Sequence, residues 1–367
     1  MSTLSLDSTQ SVNPMIAHGN DLYLAWQVLR SEQPRLRARD AAAQLSVSEA
    51  ELLASRVGED ALLLRADWSA LLPALVTLGE VMVLTRNEHC VHERHGVYRD
   101  TTVMANGKMG LVVSADIDLR LFLSGWHSAF ALTDETKRGT QRSLQFFDEQ
   151  GTAVHKVFLT ESSDLAAWEA LLKDFIATEQ RSTLNTVAAL EKPAELADSD
   201  IDVQSMRARW ARLKDTHHFF ALLKKAHTTR TQALRLAGAE WAQLLPSAAL
   251  PQLFAQASEQ QLPIMVFVGN QHCVQIHSGT VTHLRWAGDW FNVLDPEFNL
   301  HLKANAITQL WRVRKPTTDG VITSWEAYDA MGELIVQLYG VRKPGIPECE
   351  QWRALAESFA PLMAVEA

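Results

Sequence analysis

Two histidine clusters stand out in this 367-residue chain. The first is NEHCVHERHG at 87–96, where His89, Cys90, His92 and His95 offer imidazole and thiolate donors of the kind that hold transition metals. A zincin reading of the HERH fragment fails, because that chemistry needs HExxH, whose spacing of four puts both imidazoles on one helix face. Here the spacing is three, in a strand-like stretch. Strand alternation sends His89 and His95 to one side and Cys90 and His92 to the other. A metal site therefore competes with a plainer reading, a strand in which Cys90, and Cys273 in a second copy, are small buried hydrophobes.

The second cluster lies in MRARWARLKDTHHFFALLKK, 206–225. At helical spacing Met206, Trp210, Leu213, His217 and Phe220 fall on one stripe, which predicts a continuous helix with His217 on its apolar face. His218 lies about 100° round, nearer Leu222. Such an imidazole is either a satisfied core group or one aimed into an apolar pocket, where it can ligate iron in a porphyrin. Residues 206–235 carry eight Arg and Lys against Asp215 alone, in a chain whose net charge is −9. A locally basic, aromatic helix on an acidic protein suits an apolar dianion better than a nucleic acid polymer.

Other chemistries lack their residues. There is no GxGxxG, GxxxxGK[ST] or GxSxG, which removes the dinucleotide, P-loop and hydrolase-elbow fingerprints. ARDAAAQLSVSEAELLASR from Ala38 could form a helix-turn-helix, but its second helix opens with Glu49 and Glu51 where phosphates would lie, so an ordinary helical hairpin is favoured. Three sparse cysteines without CxxC spacing argue against a disulfide framework and fit a reducing compartment. Residues 1–20 lack a basic start and an apolar core and read as a disordered tail rather than a secretory signal. No apolar run approaches the roughly 18 residues needed to span a bilayer, so a cytoplasmic protein without membrane insertion is expected.

The elements that position these residues come from a duplication. NEHCVHERHG at 87–96 recurs as NQHCVQIHSG at 270–279, DLRLFL from Asp118 as NLHLKA from Asn299, and SLQFFDEQG ending at Gly151 as SWEAYDAMG ending at Gly332. Helical patterns open each half, and AAWEALLKDF from Ala166 and QWRALAESF from Gln351 close them. DEQG and DAMG between alternating runs predict hairpins and hence antiparallel strands. The expected fold class is α+β, a tandem duplication of a unit with N-terminal helices, a mostly antiparallel sheet and a closing helix. The first repeat spans 21–179, a linker 180–205 and the second repeat 206–367.

NEHCVHE, DLRLFLSGW, LKDTHHFFALLKK, IMVFVGNQHC, VRKPTTDG and VQLYG, in this order along nearly the whole chain, resemble the cytoplasmic haem-binding family of HemS, ChuS and HmuS, with the pseudomonad PhuS pattern the most similar. The resemblance implies haem b held between the halves, the first repeat distal and the second proximal. The proximal iron ligand falls on His217 and the distal arginine on Arg120, which would also be the catalytic group of an enzyme. Phe122 and Phe267 match pocket aromatics; Arg230, Lys315, Gln337 and Tyr339 match positions near the propionates or the distal cavity. Phe220 departs from the pseudomonad pattern, which tends to histidine there, leaving His218 as the alternative axial ligand. Three functions follow: a carrier that passes imported haem to a cytoplasmic haem oxygenase, with a haem ABC importer as a further partner; an enzyme that opens the porphyrin; and haem-regulated nucleic-acid binding through the basic helix.

Overall fold

The computed structural model describes residues 19–137, 139–189, 193–343 and 345–362. The tail expected over 1–20 lies outside them except for Gly19 and Asn20, which begin a helix.

Helices α1 (Gly19–Glu32), α2 (Ala38–Gln44) and α3 (Glu49–Ala54) open the first half, followed by β1 (Ala61–Leu63) and α4 (Trp68–Ala74). Then come β2 (Gly79–Arg86), β3 (Cys90–Val97), β4 (Thr101–Val103), β5 (Gly110–Val113), β6 (Asp118–Leu121), β7 (Ser128–Thr136), β8 (Gly139–Phe147) and β9 (Ala153–Ser163), closed by α5 (Leu165–Phe175). The second half repeats the order with α6 (Val203–Trp210), α7 (His218–Ala226), α8 (Arg230–Ala237), β10 (Ala242–Leu245) and α9 (Ala249–Glu259). It continues with β11 (Ile264–Gly269), β12 (Cys273–Gly279), β13 (Leu284–Ala287), β14 (Trp290–Leu294), β15 (Phe298–Lys303), β16 (Gln309–Thr317), β17 (Gly320–Tyr328), β18 (Leu334–Gly340) and α10 (Glu350–Glu357).

Local chemistry repeats with the elements. Ser48 Oγ accepts from the Glu51 N–H at 3.1 Å while the Glu51 carboxylate accepts from the Ser48 N–H at 2.8 Å, a capping box that starts α3. In the equivalent place Thr229 Oγ1 caps α8 by accepting from the Gln232 N–H at 3.1 Å. Among the described residues no helix is long and apolar enough to cross a membrane.

The strands form two antiparallel sheets, ordered β1-β7-β8-β9-β2-β3-β15-β14-β13 and β10-β16-β17-β18-β11-β12-β6-β5-β4. Each sheet takes six strands from one half and three from the other, whereas the sequence led us to expect one sheet per half. The residues of β4–β6 still pack into their own half's core: Val112, Leu119 and Leu121 lie with Val81, Val83 and Val157. Each half is thus a sandwich of six strands over three, and the backbone edges that this leaves on β3 and β6 find partners only in the other copy. β3 pairs with β15, placing Cys90 opposite Leu302, and β12 pairs with β6, placing Cys273 opposite Leu121. The cysteines cross over as well, Cys90 into the second half's core and Cys273 into the first's.

Paired asparagines hold this junction. Asn87 Nδ2 donates to the carbonyls of Gly269 (3.1 Å) and Ile335 (2.8 Å), and its Oδ1 accepts from the N–H groups of His89 and Cys90. Its repeat partner Asn270 donates to the carbonyls of Arg86 (3.1 Å) and Val154 (2.9 Å) and accepts from His272 and Cys273. The motif that reveals the duplication is therefore the turn that ties its two copies together.

Candidate functional site

Strand register builds one wall of the site. Phe267 on β11 stands opposite Gln337 on β18 and Ile276 on β12, while Gly269 stands opposite Val274, which in turn stands opposite Arg120 on β6. Paired residues share a face, so Gln337, Phe267, Val274 and Arg120 project on one side of the second sheet. Val266 and Val268 turn to the core on the other side. Arg120 belongs to the first half and reaches this face only because β6 joins the second half's sheet. Tyr339 packs edge-on to Phe267 at 5.1 Å between ring centroids, and its hydroxyl accepts from Gln337 Nε2 at 3.3 Å.

A cavity of about 840 Å³ lies against this wall, within the range of about 300–1,000 Å³ typical of small-molecule and cofactor sites. Phe267, Val274 and Gln337 line it from the sheet, and Phe220 and Arg230 from α7 and α8. The first half contributes Ala42, Ala43 and Val47 from its helical hairpin and Glu49, and the two junction asparagines sit at the rim. Of the residues expected from sequence, Arg230, Phe267 and Gln337 line the cavity; Arg120, Phe122, His217, His218, Lys315 and Tyr339 do not.

The histidine segment differs from the continuous helix expected. Residues 211–217 break it between α6 and α7, because the Asp215 carboxylate accepts from the His217 N–H at 2.8 Å and offers the chain a turn in place of a helix. The stripe is lost with it: Met206, Trp210 and Leu213 are buried, Phe219 rather than Phe220 joins them, and Phe220 is 76% exposed. His217 does not project from an apolar face. Its side chain is 88% exposed, and Nδ1 lies 2.6 Å from Asp215 Oδ1. Hydrogen bonds from the His217 backbone and ring hold the Asp215 carboxyl below its usual range. With Nδ1–H donated to a carboxylate, Nε2 is the free ligating nitrogen, the usual arrangement of a metal-binding histidine. His218 begins α7 and is also exposed.

Arg120 pairs with Asp118, whose carboxyl burial pushes up and Arg120 partly pulls back. Phe122, 37% exposed, lies just past the end of β6 rather than within the strand. Lys315 turns inward: it is 2% exposed and its ammonium is given to Glu326 on the neighbouring β17. On the first-half side, Glu49 is buried between Arg86 (2.9 Å) and Lys156, and these cations outweigh burial to hold its carboxyl low. The Ala38 segment is thus a helical hairpin whose second helix opens with an acidic residue, Glu49, that faces inward. Among the described residues no three His, Cys, Asp or Glu side chains gather as a metal site, and His92 and Cys90 are fully buried.

The family model of the haemin-degrading HemS.ChuX domain matches this chain twice, over residues 46–175 and 227–359. The chain belongs to the HemS family. The hemin transport protein HmuS of Yersinia pestis is 44% identical over 337 residues, 90% of this chain and 95% of that protein. The crystal structure of holo-PhuS, a heme-binding protein from Pseudomonas aeruginosa, superposes with a TM-score of 0.92 at 64% identity, covering 94% of this chain and 99% of that one. ChuS, described as an E. coli heme oxygenase, superposes with a TM-score of 0.84 at 38% identity, covering 93% and 100%.

For this HemS-family chain, sequence reasoning missed Glu326, Asn87 and Asn270 as parts of the site. A lone glutamate in SWEAY, a segment that otherwise reads as a buried strand, was the available signal for the first. The asparagine heading both repeated turns was the signal for the others, since Asn favours turns that its own side chain closes.

Proposed function

We propose that this protein binds haem b in the cavity between its halves and carries it through the cytoplasm to a haem oxygenase, receiving it from a haem ABC importer. The names of HmuS and PhuS support this reading, and the chain's own residues fit the group. Phe220 and Phe267 offer aromatic faces, Arg230 a guanidinium for a propionate, and the His217 imidazole a free Nε2. That Asp215-oriented imidazole, one helical turn from the cavity residue Phe220, is the observation that carries the proposal. When bound, haem supplies an iron centre and a large apolar disc, whose burial contributes about 25 cal/mol per Å². His217 would hold the metal, with His218 beside it as the alternative ligand. Arg120 and Phe122 would contribute from the first half, while Gln337 and Tyr339 shape the sheet wall and the buried Lys315 acts through its pair with Glu326.

Titration with haemin tests the reading. The wild-type chain develops a shifted Soret band at one equivalent, and His217→Ala loses that shift while His218→Ala keeps it. Equal small effects of both substitutions overturn His217 as ligand.

ChuS motivates a second reading, in which the chain itself opens the porphyrin with Arg120 as the catalytic group on the distal side. Haem-loaded protein given reductant and oxygen under catalase separates the two. Accumulation of a ring-opened tetrapyrrole supports the enzyme; an intact chromophore that moves only to an added oxygenase supports the carrier.

A further inference from the structure

A fully buried carboxylate lies beside the cavity, on the same face of the sheet as Gln337 and Phe267. Glu326 Oε1 accepts from Lys315 Nζ and from Ser324 Oγ at 2.9 Å. Its Oε2 accepts from Arg230, with Nη2 at 3.0 Å and Nε at 3.1 Å, and from the Tyr328 hydroxyl. Every lone-pair direction is used. Lys315 and Tyr328 are buried, so Arg230, 31% exposed, is the member of the group that reaches the cavity. Two cations against one carboxylate leave one positive charge, presented at the wall by a guanidinium whose fork Glu326 and Tyr328 hold in one orientation.

The duplication supplies an internal control. The residue 181 positions before Glu326 is Gln145, and it holds the same sheet position: Gln145 stands opposite Phe130 and Lys156, as Glu326 stands opposite Trp311 and Gln337. Gln145 donates to Ser143 Oγ at 3.1 Å and makes no ion pair. The counterparts of Arg230, Lys315 and Tyr328 are Glu49, Asp134 and Phe147, so both cations have become acids. Yet the two halves share one strand order. The first half fills the equivalent place differently, pairing a buried Glu49 with Arg86 and with Lys156 beside a neutral Gln145, so the same sheet is built without a carboxylate at this strand position, and the Glu326 arrangement belongs to the second half alone.

We propose that Glu326 is a positioning residue: it fixes Arg230 at the cavity wall and so makes the site select ligands that carry carboxylates. The inference rests on the porphyrin-site reading above and deepens it. An entering carboxylate takes the outward N–H groups of Arg230, while Lys315, Ser324 and Tyr328 continue to satisfy Glu326. Without Glu326 the guanidinium loses its anchor and the selectivity goes with it.

The test uses metal-free protoporphyrin IX and its dimethyl ester, which share the ring and differ in charge, so the iron ligand does not enter. Binding is followed by quenching of tryptophan fluorescence. The wild-type chain prefers the diacid by about tenfold, the equivalent of about 1.4 kcal/mol. Glu326→Gln, which installs the residue that the first half already accommodates, loses that preference through weaker diacid binding and leaves ester affinity unchanged. Glu326→Asp restores part of it. Should the Gln variant not fold, Lys315→Met with Glu326→Gln removes both buried charges together and carries the same expectation. A variant that keeps the diacid preference, or that loses both porphyrins equally, overturns the positioning role alone. A wild-type chain that binds neither porphyrin overturns the site reading and this inference with it.

Discussion

Replacing Asn270 is the sharpest perturbation of the junction between the halves. Its side chain makes four hydrogen bonds at 2.9–3.1 Å, two donated to carbonyls of the first half and two accepted within its own turn. At about 1 kcal/mol net for each bond, complete loss would cost about 4 kcal/mol. The residue is half-buried, and water recovers the turn N–H groups more readily than the carbonyls beneath them. Asn270→Ala is therefore expected to cost about 2–3 kcal/mol. Asn270→Asp separates the two roles. A carboxylate accepts both turn N–H groups as well as the amide does, but it sets a negative oxygen against the Arg86 and Val154 carbonyls where a donor stood. The Asp variant should be no more stable than the Ala variant. Urea unfolding followed by circular dichroism measures both, with an unchanged m-value marking a stability effect. An Asp variant as stable as wild type, or an Ala variant within about 0.5 kcal/mol of it, would show that the asparagine only shapes its turn. Because Asn270 also sits at the cavity rim, the destabilised variants should bind porphyrin more weakly than wild type.

Acid should weaken the fold before the carboxylates titrate. Burial lowers His155 to about 3 and, with Arg94 nearby, His277 to about 4, so the unfolded chain takes up protons between pH 6.5 and 4 that the folded chain refuses. Their contribution is complete above pH 6.5 and declines by about 1.4 kcal/mol per pH unit for each histidine as pH falls; urea midpoints at pH 7, 6 and 5 read it, and a flat profile refutes it. His155→Val, the residue type found at the equivalent Val336, should flatten that profile in proportion. Glu49→Ala leaves Lys156 buried beside Arg86 without its carboxylate and should cost about 3–5 kcal/mol by thermal or urea melting, far more than loss of an exposed pair such as Arg181–Glu179. Gly340→Ala would place its new methyl 2.5 Å from Cγ of the fully buried Trp352 and should cost about 1–3 kcal/mol; an unchanged melting temperature would show that α10 can shift to make room.

Three residues that line the cavity, Arg230, Phe267 and Gln337, were reached through the family resemblance, whereas the duplicated motifs, the alternation within each strand and the turn residues were local enough to be read directly. Local pattern carries such features because side-chain direction along a strand or helix depends only on neighbours in the chain. The helix stripe through His217 misled for the same reason: Leu213 and Phe219 keep their apolar burial through a break that Asp215 imposes by one hydrogen bond, and periodicity does not register which acceptor a backbone N–H chooses. The resemblance put Lys315 near the propionates or the distal cavity, whereas the fold turns it inward, where a carboxylate on the next strand neutralises it. Which sheet β6 would join, and hence whether Arg120 faces the second half's wall, was decided by two unpaired strand edges meeting across the junction. That pairing follows from backbone hydrogen bonds between segments about 150 residues apart, which every sequence of suitable strand pattern can make, so only the folded chain could select it.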